Sequence, residues 1–470
     1  MSLSEKPDRA AAGPLTRWKV LVGAIIVQLI LGTVYGYSIF WQPLEEAVYP
    51  VPVLTASEHA KLEAVGKPHA ADAIIAPEAE AKKQHDERQA PLRWAFALAI
   101  LTFALTMVGA GKVQDAKGPR LPALIGAALM GLGFLAAGGI LMAKLPGVGL
   151  NTILLCLTIG VVAGAGIGFA YVCPIAALVK WFPEAKGLVS GLAVAGFGFG
   201  AFIVSYKALP FSGTVFIAEH GIANFYLVHG IVSLVAVSLG ALLLSNPPGT
   251  VPAARTDGGV GELLKNKAFY MIWMMFFSGA LAGLTVIGVA KGFAGEQLVA
   301  NALGAIDAET KKALMEKGAA AVGMLAVFNA IGRVVWGTIS DKVGRTPTFI
   351  AMFLFQTVMM FLLPSMKTET AITLAAGMVG FNFGGNFALF PSATAELFGA
   401  KKLGQNYGLV FTSYGVAGVV GIQAGNYAKT VTGSYSAAFA LAGLLCLVSA
   451  ILAIALHITS KRGPAAASAS

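Results

Sequence analysis

Charge is what this chain most conspicuously lacks. Asp, Glu, Lys and Arg make up 12% of its 470 residues, about half the share of an ordinary soluble domain. With a mean hydropathy of +0.75, it has more apolar side chain than a water-facing globule can hide. Cysteine is scarce as well: Cys156, Cys173 and Cys446 fall within apolar runs at no metal-like spacing, which argues against a disulfide framework or a zinc site and makes them small packing residues. No metal and no cofactor is expected. The opening "MSLSEKPDRAAAGPLTR" has no apolar core before Trp18, so it reads as a solvated tail rather than a cleaved leader.

Apolar runs of about twenty residues are abundant instead, each long enough at roughly 1.5 Å per residue to cross a hydrocarbon layer about 30 Å thick. Twelve are read, at residues 18–44, 93–111, 121–145, 152–181, 187–207 and 223–245, then 268–290, 318–340, 347–365, 370–397, 405–427 and 436–459. The expected fold is an all-α membrane protein of twelve transmembrane helices in two six-helix halves. A tail (1–17) precedes the first half (18–245), which carries an external insertion at 45–92. A linker (246–267) leads to the second half (268–459), with an external loop at 291–317 and a closing tail at 460–470.

The placement of Lys and Arg sets the orientation. The two tails and the even-to-odd connections hold eighteen bases, among them Lys6, Arg9, Arg17, Lys112, Lys117, Arg120, Lys180, Lys186, Arg255, Lys342, Arg345 and Arg462, against eight acids. The other side holds fourteen bases and fifteen acids. Both termini are therefore expected in the cytoplasm, in a multi-pass protein of a cell inner (plasma) membrane. The formal charge of +10 follows from this bias and gives no reason to invoke nucleic acid. His59, His69 and His85 lie far apart in the insertion, which reads as a solvated, partly helical segment.

One base remains unassigned. Arg333, in "AAVGMLAVFNAIGRVVWGTISDKVGR", stands eight residues before Asp341 and so roughly 12 Å inside its helix at 1.5 Å per residue. A guanidinium stays charged at physiological pH, and its insertion costs about 2.5–3.5 kcal/mol, so an intramembrane base marks a site whose anionic partner should be nameable. No Asp or Glu falls in the apolar core. The substrate is the simplest partner, held by a planar fork that matches a carboxylate in two hydrogen bonds; a structural arginine satisfied by carbonyls and water is the alternative. Asn329, four residues earlier, shares its helical face.

An internal repeat supports the two-half architecture. "GKVQDAKGPR" gives Gly111, Asp115, Gly118 and Arg120; "GTISDKVGRT" gives Gly337, Asp341, Gly344 and Arg345, with the same G-x-x-x-D-x-x-G spacing six helices later. The glycine permits positive φ in a tight turn, and the Asp can accept hydrogen bonds from a neighbouring helix end. These turns are expected to act as cytoplasmic latches. On these residues the chain resembles the major facilitator superfamily, over essentially residues 15–462.

The glycines of "GAGIGFAYVCP" and "GLAVAGFGFGAF" lie in apolar helices with no preceding strand, so they serve close helix packing rather than a dinucleotide loop. Three further stretches sharpen the resemblance: "GTVYGYSIF", with Gly32, Tyr35, Ser38 and Phe40; "YVCPIAALVKWFPEAKGLVSG", with Tyr171 and Pro174; and "NFALFPSATAELFGAKKLGQNYG", with Pro391 and Phe398. Together they are similar to the oxalate/formate antiporter family and, more distantly, to the animal monocarboxylate transporters.

That resemblance implies an arginine on the eighth helix that binds carboxylates, the position of Arg333. It also exposes two departures. Where the animal transporters have a proton-coupling aspartate this chain has Asn329, and where oxalate transporters place a lysine on the eleventh helix it offers Thr412, Ser413 and Tyr414. One fixed cation neutralises one carboxylate, so a monocarboxylate is the better-matched cargo. Gln28, Tyr35, Tyr171, Asn382, Asn386, Ser413 and Tyr414 are the polar groups expected to line the cavity with Arg333 and Asn329, although each could equally make a helix-to-helix contact.

The expected function is secondary active transport of a small monocarboxylate of the lactate, pyruvate, formate or acetate class by alternating access, through exchange or proton linkage. The expected partners are that anion, a co-transported proton or counter-transported anion, and the lipid bilayer, with the chain a monomer. An oxalate-type dicarboxylate/formate antiporter is the runner-up, and a membrane carboxylate sensor is the alternative of another class. An enzyme is not expected, because no core His, Asp or Glu is placed for acid-base chemistry.

Overall fold

The computed structural model describes residues 15–64, 73–205, 209, 212–253, 260–302 and 307–462. Lys6, Arg9, His69 and Arg255, named above, lie outside them, as do the side chains of Ser38 and Arg462. Twelve helices among the described residues are long and apolar enough to cross a membrane. The first six are Leu15–Gly36 (span 1), Glu78–Lys117 (span 2), Arg120–Ala143 (span 3), Val148–Trp181 (span 4), Lys186–Ser205 (span 5) and Gly213–Leu243 (span 6). The others are Lys267–Ala300 (span 7), Glu309–Val343 (span 8), Arg345–Ser365 (span 9), Glu369–Phe398 (span 10), Ala400–Thr432 (span 11) and Ser436–Ile458 (span 12). Helices are the form such sequences take because an apolar surround leaves backbone groups no partner but each other. Large apolar side chains such as Leu105, Leu132, Leu239 and Ile451 point outward, while Ala and Phe fill the interior.

The packing repeats with a shift of six. Span 1 packs on spans 5 and 6, span 2 on span 4 and span 3 on span 6; correspondingly, span 7 packs on 11 and 12, span 8 on 10 and span 9 on 12. The halves meet through two equivalent pairs, span 2 with span 11 and span 8 with span 5. This is a two-half pseudo-symmetric bundle, with its central seam between spans 2 and 11 on one side and 5 and 8 on the other.

Spans 1 and 4 carry the two long departures from α geometry among the described residues. Span 1 passes into a nine-residue 3₁₀ stretch, Gly32–Phe40, and then the helix Trp41–Val48. Span 4 contains a π stretch at Cys156–Ala163. Both forms recur at hinges and functional sites because their hydrogen bonds are less favourable than those of an α-helix. The insertion forms a helix, Ala56–Ala64, and a parallel two-residue ladder in which Val53 faces Ile74 and Leu54 faces Ile75. It is tied down by buried Glu45, which accepts from Gln89 Nε2 at 2.9 Å and meets His85 Nδ1 at 2.8 Å. His59 pairs separately with Glu63, and no metal-ligating cluster forms among the described residues.

Candidate functional site

Arg333 is fully buried, at 0% exposure. Its main chain fits against span 5 because position 191 is glycine: a Cβ there would sit 2.2 Å from the Arg333 carbonyl oxygen. The side chain then runs along span 5, where Nη1 donates to the Val194 carbonyl, while Nε donates to Asn329 Oδ1 at 3.1 Å. The cation also lies 4.6 Å from the centroid of the Phe387 ring, an attraction of about 2 kcal/mol or more when desolvated. Nη2 has no hydrogen-bond partner among the described residues. A buried donor left so costs about 1–3 kcal/mol, more when charged.

The titratable groups around Arg333 are four tyrosines, Tyr171, Tyr35, Tyr414 and Tyr407, with no carboxylate among them. Aromatic edges complete the wall: Phe103 packs on Tyr171 and Phe411 at 4.9 Å each, Phe197 on Tyr35 at 4.8 Å, and Phe387 on Tyr414 at 5.4 Å between centroids. The hydroxyls of Tyr35 and Tyr414 hydrogen-bond to each other, span 1 to span 11, and so bridge the seam between the halves beside these rings. Such a site can hold a compact anion by one cation, several hydroxyl donors and an apolar wall, and it can do so away from water.

The structure thus gathers Arg333, Asn329, Tyr35, Tyr171 and Tyr414. The other candidates point elsewhere. Gln28 donates to the Tyr171 carbonyl at 3.0 Å and ties span 1 to span 4. Asn382 accepts from Trp336 Nε1 at 3.1 Å. Asn386 donates back to its own helix, to the carbonyls of Asn382 and Phe383, leaving Oδ1 without a partner among the described residues. Ser413 donates to Val410 O at 2.7 Å, and neighbouring Thr412 accepts from Trp273 at 2.9 Å. Sequence reasoning missed Tyr407, which lies seven residues before Tyr414 and therefore on the same helical face. It also missed Phe387 and Val194, which carry no distinguishing signal.

At the basic end of the bundle the two repeat motifs make the same construction twice. Asp341 of span 8 accepts from the backbone amides of Gly187 and Leu188, 2.8 Å each, at the start of span 5. Asp115 of span 2 accepts from Gly404 at 3.1 Å and Gln405 at 2.8 Å at the start of span 11. Each carboxylate thereby satisfies orphan amides and meets the positive end of a helix in the opposite half. The leading glycine lets the helices touch: a Cβ on Gly111 would lie 2.0 Å from Gly404 O, and one on Gly337 2.3 Å from Gly187 O. The closing glycines, Gly118 and Gly344, turn the chain at φ of +83° and +98°. The arginines differ. Arg345 pairs with Asp341 at 2.7 Å and Glu396 at 3.0 Å, whereas Arg120 donates to the Leu244 carbonyl at 2.7 Å and Asp115 faces Lys180 at 3.9 Å.

Comparison with known proteins gives the chain its relatives. The chain is 28% identical over 488 residues to the apicoplast pyruvate carrier 1 of Toxoplasma gondii, covering 87% of this chain and 84% of that protein. It is 26% identical over 373 residues to the oxalate:formate antiporter of Oxalobacter formigenes, covering 77% and 82%. Among solved structures, the Escherichia coli fucose:proton symporter FucP superposes with a TM-score of 0.66 at 12% identity, over 93% of this chain and 98% of that one. The sequence pattern of the Major Facilitator Superfamily matches residues 73–421 and 292–470, so this multi-pass membrane chain belongs to the major facilitator superfamily, with the oxalate:formate antiporter among its relatives.

Proposed function

We propose that this transporter carries a small monocarboxylate, of the lactate, pyruvate, formate or acetate class, by alternating access. One observation carries the reading: the fully buried Arg333 has an unpartnered Nη2 and no neighbouring carboxylate among the described residues. A monocarboxylate supplies the one missing charge. Tyr35, Tyr171 and Tyr414 orient it and Asn329 holds the guanidinium. A pyruvate carrier and an oxalate:formate antiporter among the relatives are consistent with that class.

The halves at 18–245 and 268–459 rock about the central seam, with the Asp115 and Asp341 turns as latches on the cytoplasmic side, both termini on that side and the protein in a cell inner membrane. The empty carrier holds a bare cation and the loaded one is neutral. Reorientation is then easier when loaded, which favours exchange over net uptake.

The test is uptake of labelled lactate into proteoliposomes preloaded with unlabelled lactate, for the wild type and Arg333→Ala. Uptake that disappears in a folded variant supports the reading. Absence of wild-type uptake, with labelled oxalate taken up instead, moves the function to a dicarboxylate exchanger. Uptake that survives in Arg333→Ala makes the arginine structural, and net flux driven by protons faster than exchange overturns the coupling argument.

A further inference from the structure

The 3₁₀ stretch Gly32–Phe40 carries Tyr35 and therefore one side of the hydroxyl contact that crosses the seam. Runs of this geometry beyond three or four residues are uncommon, because the hydrogen bonds are poorer than in an α-helix and the turns eclipse. Something other than the local backbone must hold such a segment in register. At its base, Thr33 donates its hydroxyl to Ile30 O at 2.6 Å, an i−3 bond that reinforces the tighter turn. His229 of span 6 meets the same hydroxyl oxygen, Nε2 to Oγ1 at 3.1 Å.

The proton inventory decides the direction of that second bond. A threonine hydroxyl has one hydrogen, and it is committed to Ile30. Thr33 Oγ1 can then only accept, so His229 donates from Nε2 and is held as that tautomer. The ring is fixed as well: Phe225 stacks on it at 5.4 Å and 5°, and Phe134 meets it edge-on at 4.7 Å. His229 is buried and takes no part in the site around Arg333.

We propose that the His229–Thr33 pair is a positioning device: it pins the start of the 3₁₀ stretch of span 1 to span 6 and so aims Tyr35 at Tyr414 across the seam. Its bearing on transport rests on the reading of the site given above, while its bearing on geometry does not. Neither residue touches the transported anion; both act through Tyr35.

The experiment reads position first and transport second. Spin labels at Gln42→Cys, beyond the 3₁₀ stretch, and Gln423→Cys, on span 11, report the separation of the two halves beyond the Tyr35–Tyr414 contact, with the three native cysteines replaced. We expect His229→Phe and Thr33→Val to shift the main distance peak longer and broaden it. His229→Gln, which keeps a donor, and Thr33→Ser, which keeps the hydroxyl, should retain the wild-type distribution. In exchange assays the first pair should raise KM about fivefold with turnover less affected, the size of one neutral hydrogen bond. A wild-type distribution in all four variants overturns the proposal. So does a His229→Gln that shifts as far as His229→Phe with an equal loss of thermal stability, since the ring would then be packing alone. Should the wild type exchange no monocarboxylate, the transport reading falls while the distance comparison still decides the positioning role.

Discussion

Arg333 Nη1 donates to the carbonyl oxygen of Val194, so this buried cation joins span 8 to span 5 across the boundary between the halves. A helical carbonyl already accepts from its own amide donor and here takes Arg333 as a second donor. A carboxylate is the stronger acceptor for a guanidinium, and an arriving anion would compete for the same fork. On the proposed reading, an anion that docks on Arg333 loosens one inter-half tie as it binds.

Arg333→Lys tests the fork. Lysine keeps the charge but presents a point donor that cannot grip two oxygens, and losing one charged hydrogen bond costs about 2 kcal/mol, or about thirtyfold in affinity. Lactate binding by isothermal calorimetry should weaken by that order in Arg333→Lys and vanish in Arg333→Ala. Equal binding by wild type and Lys variant would remove the bidentate geometry from the account.

Tyr414→Phe removes one hydroxyl from the span 1–span 11 contact while keeping the ring against Phe387 and Phe411. The loss of one neutral hydrogen bond, about 1 kcal/mol, should raise the exchange KM a few-fold and leave the melting temperature nearly unchanged. A variant that unfolds early instead would mean the hydroxyl serves the core.

Asp341→Asn keeps the shape but weakens two charge-assisted caps on span 5. A lost cap costs about 1 kcal/mol, enough to move a closed bundle several-fold toward opening at its basic end. Maleimide labelling of a cysteine placed at Ser190, buried in span 5, should quicken accordingly. Asp115→Asn should do the same for span 11, and unchanged labelling in both would show that the caps do not govern access.

Gly404→Ala places a methyl 2.6 Å from the Gly111 carbonyl oxygen, on a rigid helix that cannot give way locally. Overpacking of this kind costs about 1–3 kcal/mol. The variant should melt lower and, through the same displacement, label faster at position 190. Wild-type melting would mean that spans 2 and 11 have more slack than their backbones show.

The twelve spans and the two repeats were legible because lipid allows one solution for an apolar twenty-residue run and because G-x-x-x-D-x-x-G occurs twice six helices apart. Arg333 was legible by elimination, as the base no loop could claim. The polar candidates divided for a reason the sequence does not carry. Tyr35, Tyr171 and Tyr414 reach the centre because aromatic hydroxyls project far from their helices, whereas Gln28, Asn382 and Ser413 each spend one polar atom on a nearby backbone carbonyl or indole. The 3₁₀ and π stretches left no trace in hydropathy, since both keep an apolar face while changing only which carbonyl each amide finds.

The crossed capping at the basic end has one more consequence. The acid that completes span 5 belongs to the second half, and the acid that completes span 11 belongs to the first. Neither half alone can satisfy the amides at its own fifth helix. Severed in the linker and produced as separate chains, the halves should seek each other out, because each holds the missing end of the other.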